Sequence, residues 1–146
     1  MKKRWAMGVV SLLALAFVVG CCPCRKYRRA NGVPLVGTQW RLVQLDEQEM
    51  ADATITLRFD SRHQLEGEAC CNSYRADCSA EPGGRLHVEP IRTTRMSCPQ
   101  QTVENAYLAM IQQTIRYEMD AKMLILSDSS RVRAVFEASQ TAATNN

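Results

Sequence analysis

The chain falls into two regions by the pattern of its apolar positions. From Trp5 to Val19 nearly every residue is apolar, whereas from Gly37 onward apolar and polar residues mostly alternate. Trp40, Leu42, Val43 and Leu45 form one β-prone run. Ile55, Leu57 and Phe59 alternate with Thr54, Thr56 and Arg58, a period of two that marks a half-buried strand. Asp60-Ser61-Arg62-His63 reads as a turn, so Thr54 to Cys71 is expected to form a hairpin. Asn72 to Cys78 reads as short and polar. Glu81-Pro82-Gly83-Gly84 is a break, after which Leu86 and Val88 point inward while His87 and Glu89 point outward.

One segment changes period. Val103, Tyr107, Met110, Ile111 and Thr114 are spaced by three and four residues, one stripe of a helix over about residues 98–114. Ser97 is placed to cap it, Pro99 fits its first turn, and Gln100 completes the spacing of a capping box. Ile115–Met119 and Met123–Leu126 follow as strands around a turn at Asp120-Ala121-Lys122. Val132, Ala134 and Phe136 make the last strand, and residues 139–146 read as a flexible, polar tail. This order predicts an α+β fold, an antiparallel curled β-sheet or partly open barrel, with one α-helix inserted before the last three strands.

The N-terminal region has a different use. Met1-Lys2-Lys3-Arg4 precedes the apolar run, which is the arrangement of a signal peptide. The run is shorter than the roughly 20 residues of a membrane span. It ends in Val18-Val19-Gly20-Cys21, which resembles a bacterial lipobox, and this resemblance implies cleavage before Cys21 and lipidation of its thiol. Residues 1–20 are therefore expected to be a lipoprotein signal peptide and residues 21–36 a lipidated basic tether. Acyl chains contribute about 0.8 kcal/mol of anchoring per buried methylene. Cys21 makes the membrane a partner and the bacterial envelope the expected location, facing the periplasm and most simply at the outer membrane.

Charge narrows the function. Of 146 residues, 18 are Lys or Arg and 15 are Asp or Glu. Lys2, Lys3 and Arg4 leave with the signal peptide, and Arg25, Lys26, Arg28 and Arg29 lie in the tether, against anionic headgroups. The remaining domain is net acidic. A nucleic-acid partner, which needs a positive face, is excluded. About 110 residues suffice for one domain with one core and not for a two-domain enzyme.

Three blocks of the sequence carry a resemblance. Leu35, Gly37, Thr38, Trp40 and Leu42 match an L-x-G-T-x-W-x-L opening. Gly67, Cys71, Asn72 and Tyr74 match a glycine-bearing segment ending in Cys-Asn. Thr94, Met96, Cys98 and Glu104 match a T-x-M-x-C block at a helix start. In these blocks the chain resembles the META domain family, the HslJ-like bacterial lipoproteins, over roughly residues 35–137, so residues 37–138 are expected to be a META-like domain. The resemblance implies a β-rich domain with one helix in the envelope, described through stress response, motility or virulence, and no defined reaction. Cys70 departs from the pattern by standing where the family has glycine.

Seven cysteines in an exported chain point to disulfides. With Cys21 lipidated, six remain: Cys22, Cys24, Cys70, Cys71, Cys78 and Cys98. The resemblance places Cys71 beside Cys98. If Cys70 and Cys71 lie on a strand they face opposite sides, and Cys70–Cys78 is then the second pairing. Cys22 and Cys24 either stay free, pair with each other under strain or bridge between chains. The sharper alternative is thiol redox chemistry, with Cys98 activated at a helix N-terminus and Cys71 or Cys70 as its partner. No Cys-x-x-Cys supports it.

Other chemistry is weakly signalled. His63 in a turn and His87 on an outward position do not make a zinc set, so no metal and no cofactor are expected. No nucleophile elbow or phosphate-binding glycine loop occurs. Asp60 or Glu66 with Glu68 is the one candidate carboxylate pair. Trp40 is expected in the core, Tyr74 exposed, either flanking a groove near Cys71-Asn72 or simply at a strand edge, and Asn72 in a left-handed or turn conformation with a structural role. The reading is a non-enzymatic, lipid-anchored binding or stabilising module with an envelope partner still to be identified and an oligomeric state the sequence does not define. A small β-barrel inhibitor of the kind that blocks lysozyme is the alternative binding class, and it would need an exposed loop with an inserting residue.

Overall fold

A computed structural model describes residues 32–50 and 54–139. The expected signal peptide, Cys21, Cys22, Cys24, the basic residues of the tether and nearly all of the expected tail lie outside these residues. The end of the expected tether is already packed on the domain. Leu35 is buried, and Val36 bridges Phe59 in parallel.

Among the described residues, ten strands and one helix follow in order: β1 (Gln39–Leu45), β2 (Gln48–Glu49), β3 (Thr56–Ser61), β4 (Gln64–Ala69), β5 (Asn72–Ala80), β6 (Leu86–Val88), β7 (Arg92–Thr93), α1 (Gln101–Gln113), β8 (Arg116–Asp120), β9 (Met123–Ser127) and β10 (Val132–Ala138). The sheet order is β6-β5-β4-β3-β1-β10-β9-β8, antiparallel throughout, with β2 added to β1 and β7 to β5. The two ends of this path meet. Arg85 bridges Arg116, the Leu86 N–H donates to Ile115 O at 2.9 Å, and the Tyr117 N–H donates to Gly84 O at 2.8 Å. The result is a nearly closed barrel with one helix, the fold class the alternation predicted.

Inward positions fill the interior. Trp40, Leu42, Leu57, Phe59, Leu65, Leu124, Leu126, Ala134 and Phe136 are essentially inaccessible. Each large apolar side chain so buried stabilises the fold by about 1.5–3 kcal/mol before entropy is counted. In β1 the alternation breaks between Leu42 and Gln44, where the register with β10 shifts by a bulge. The extra residue brings Leu45 back to the inside.

The segment read as short and polar is instead the longest strand. In β5 the inward residues are Asn72, Tyr74, Ala76, Cys78 and Ala80, and each is buried. Small and polar residues hid the period. Tyr74, expected exposed, is therefore a core residue at 3% exposure.

The helix also begins later than its sequence signals suggest. Its N-cap is Gln100, and no side chain caps it. Ser97 and Pro99 fall in the stretch before it, where Cys98 is held by a disulfide and the Gln101 N–H closes a turn on Cys98 O. Tyr107, Met110, Ile111 and Thr114 are buried as the stripe required, with Val103 only partly so, and Glu104 joins the buried face.

Candidate functional site

Most of the residues that gave the sequence its distinctive blocks meet in one place, where the β4–β5 turn touches the start of α1. Cys70 and Cys71 are the two residues of that turn. Cys70 adopts φ +47°, the left-handed region where glycine is the easier residue. Asn72, expected there in a left-handed or turn conformation, is the first residue of β5. The disulfide Cys71–Cys98 ties the turn to the chain entering α1, with Cα atoms 6.3 Å apart and 27 residues of separation.

Beneath the disulfide lies a buried polar network. Glu104, in the first turn of α1, is 1% exposed. Its carboxylate accepts the N–H groups of Cys71 (2.9 Å) and Asn72 (3.0 Å), the Asn72 Nδ2 (2.6 Å) and the Gln101 Nε2 (3.2 Å). Burial pushes the Glu104 pKa up, but these hydrogen bonds outweigh it and hold the carboxyl below its ordinary range. Asn72 uses its whole amide. Nδ2 also donates to Met96 O at 3.0 Å, while Oδ1 accepts from Met96 N at 2.7 Å and Thr94 Oγ1 at 2.8 Å. Asn72 thus joins the β4–β5 turn, the irregular segment after β7 and the helix.

A second pair extends this core. Gly67 is opposite Tyr74 in the β4–β5 register. A Cβ on Gly67 would sit 2.1 Å from Thr56 O and 2.7 Å from the Tyr74 hydroxyl. That hydroxyl donates to Thr56 O at 2.9 Å and meets the Tyr107 hydroxyl at 2.6 Å. Burial raises the pKa of both tyrosines, so both stay neutral. At the opening block, Gly37 takes φ +84°, Thr38 Oγ1 donates to Pro34 O, and the Trp40 indole donates to Leu35 O at 3.3 Å. Thr38 and Trp40 thereby pin the chain entering β1.

The alternative disulfide does not form. Cys70 is at the hairpin tip, and Cys78 lies near the far end of β5, paired with Val88 of β6. The six steps of strand from Asn72 to Cys78 span roughly 20 Å, far beyond disulfide reach. Both thiols are free, Cys78 being buried and half-buried Cys70 lying beside Glu104. Burial pushes the Cys78 thiol up to about 11, and burial followed by the Glu104 charge raises that of Cys70. Cys98 precedes the first helical residue by three positions and is spent on its disulfide, so it is not an activated helix-terminal thiol.

The candidate acid–base carboxylates are engaged separately. Glu66 pairs with Arg75 at 2.8 Å, Glu68 accepts from Ser73 Oγ at 2.9 Å, and Asp60 lies 3.7 Å from Arg58. His87 faces Glu89 at 3.3 Å, and His63 lies in the β3–β4 turn. Among the described residues no three His, Cys, Asp or Glu side chains gather as a metal site.

The outer face over β3, β4, β5 and β7 carries an open groove of about 480 Å³. Arg58, Arg75 and Arg92, Glu66 and Glu68, and the hydroxyls of Thr56, Ser73, Thr93 and Thr94 line it, with Gln39 at one side. The groove expected beside Tyr74 is present and Tyr74 is among its lining residues, but as a buried residue and not an exposed one. The buried Tyr74 lies under the groove, and the outward residues of the same strand form its wall.

The fold is shared with solved structures. A Burkholderia xenovorans protein solved by NMR is 26% identical, with a TM-score of 0.56 over 73% of this chain and 84% of that one. A second NMR structure is 17% identical at a TM-score of 0.57, covering 71% and 91% of the two chains. The crystal structure of a DUF4847 family protein from Bacteroides vulgatus ATCC 8482 is 10% identical at a TM-score of 0.52, covering 71% and 93%, a likeness of fold alone. No curated protein matches the chain. The META domain model matches residues 33–141, from the packed strand entry through the last strand, and the chain belongs to the META domain family.

Proposed function

We propose that the protein is a lipid-anchored envelope protein whose META domain is a non-enzymatic binding module. The observation that carries the non-enzymatic half is the use of its reactive groups. Cys71 and Cys98 are joined to each other, and Glu104 is buried and ionised under four hydrogen bonds. The remaining thiols are disfavoured as nucleophiles, because burial and a nearby carboxylate suppress the thiolate. What the domain offers to solvent is a polar groove with charges of both signs on a rigid sheet. Such a surface suits recognition of a polar envelope component better than bond-making.

The anchoring half rests on Val18-Val19-Gly20-Cys21 after a short apolar run. A lipidated Cys21 and a basic tether would hold the groove near the membrane surface, where a role in envelope stress is in keeping with the family. The test is fractionation and complementation of a deletion strain. The wild-type chain should sediment with membranes, and Cys21→Ser should be soluble with an unchanged melting temperature. Ser73→Trp, which fills the groove from an exposed position, should fold but fail to restore tolerance of envelope stress. Membrane retention of Cys21→Ser, or full complementation by Ser73→Trp, overturns the corresponding half.

A further inference from the structure

The barrel closes on two arginines. Arg85, at the entry to β6, and Arg116, the first residue of β8, are the bridging pair of the seam. Gly84 fixes this register. It takes φ +85°, and a Cβ there would lie 2.8 Å from Tyr117 O, so the turn packs directly on β8. Residues opposite one another across antiparallel strands send their side chains to the same face, and like charges so placed repel. Both side chains are exposed on the outside of the barrel.

Most of the other arginines of the domain are neutralised locally, and Arg62 is held by Ala80 O and the Tyr117 hydroxyl. Arg41, Arg58, Arg75, Arg92, Arg131 and Arg133 each have a carboxylate within 4.0 Å. Among the described residues, neither Arg85 nor Arg116 has an ion pair or a side-chain hydrogen bond. Between them opens a cavity of about 300 Å³, bounded also by Ser79, Glu81, His87 and Ile115. It brings together two guanidinium forks, a hydroxyl and an imidazole against one carboxylate. Ile115, at the rim, is 46% exposed.

We infer that the Arg85–Arg116 seam is a binding site for a phosphate group. Two planar guanidinium groups facing one space match the oxygens of a phosphate and convert their mutual repulsion into attraction for the anion. Ser79 adds a hydroxyl donor, and His87 adds an imidazole N–H. Two sources share this chemistry, a free phosphate and the phosphodiester of an anionic lipid headgroup. The exposed Ile115 gives the second an apolar neighbour.

The experiment uses the full chain carrying Cys21→Ser, so that lipidation does not set membrane binding. Inorganic phosphate is titrated while side-chain Nε–Hε signals of the arginines are followed by NMR. Arg85 and Arg116 should shift with saturation, whereas Arg95, an exposed arginine without a carboxylate partner, should not. Phosphate should raise the melting temperature, and Arg85→Gln/Arg116→Gln should lose that rise and weaken phosphate binding at least fivefold. Sedimentation with phosphatidylglycerol vesicles then identifies the source. A fivefold loss of vesicle binding in the double variant points to a headgroup, and unchanged vesicle binding points to a free phosphate. Equal, non-saturating shifts at Arg95, or a melting rise that survives in the double variant, overturns the site.

Discussion

Glu104 and Asn72 hold each other across the boundary between helix and sheet, the Asn72 amide donating to the Glu104 carboxylate at 2.6 Å and the Asn72 backbone N–H at 3.0 Å. Both are buried. Glu104→Gln removes the charge and replaces an acceptor by a donor, leaving N–H groups of Cys71 and Asn72 without a full partner. The expected loss is about 2–3 kcal/mol, the cost of stranding buried donors, to be read by urea denaturation.

The same carboxylate makes stability depend on pH. Its folded pKa lies below the unfolded value, which is about 4.3. Its contribution is therefore complete above that value and disappears as pH falls through the lower, folded one. Asp128 acts in the same direction, since the Ser130 N–H, Arg133 and the other groups of its turn hold its carboxyl well below the carboxylate range. Wild-type protein should lose stability steeply in acid. Glu104→Gln should flatten that dependence, a comparison made by thermal melts between pH 3 and pH 7.

Gly67→Ala tests the close approach beneath the groove. The added methyl carbon would meet Thr56 O and the Tyr74 hydroxyl well inside contact distance, and the Thr56 obstacle is backbone. A destabilisation of about 3 kcal/mol or more is expected. Gly83→Ala, where nothing lies within 4 Å of the new carbon, serves as the mild control in the same denaturation series.

Disulfide partners lose the same thing when either is removed. The chain-entropy model assigns about 3–3.5 kcal/mol to a loop of this length. Cys71→Ala and Cys98→Ala should each cost about that amount relative to wild type, and the double variant should cost no more than either. Additive losses in the double-mutant cycle would contradict a shared bond.

How much of this could be read from the chain depended on how openly each residue advertised its place. Ile55, Leu57 and Phe59 alternate with polar neighbours, and the β3–β4 hairpin follows from them. The helical stripe ending at Thr114 was equally plain. Strand β5 was not, because Ala76 and Ala80 are too small and Asn72 and Tyr74 too polar to show a buried period. Cys70 and Cys78 seemed close enough to bridge only while the intervening residues were not seen as one extended strand. Glu104 was recognisable as part of a motif, but its burial depends on donors from Cys71 and Asn72, more than thirty residues away. Neither β2 nor β7 was anticipated, as two residues leave no period to detect. The Arg85–Arg116 seam joins strands on either side of the helix, a pairing no local pattern contains.

The most direct test of the central claim, that the motif residues build an internal clasp and not a reactive centre, is a glutathione challenge of the folded protein followed by non-reducing peptide mapping. The account predicts that the Cys71–Cys98 peptide survives intact, that Cys78 is alkylated only on unfolding and that Cys70 reacts slowly. A rapid mixed disulfide between glutathione and Cys98, formed while the barrel stays folded, would contradict it and make thiol exchange the function to pursue.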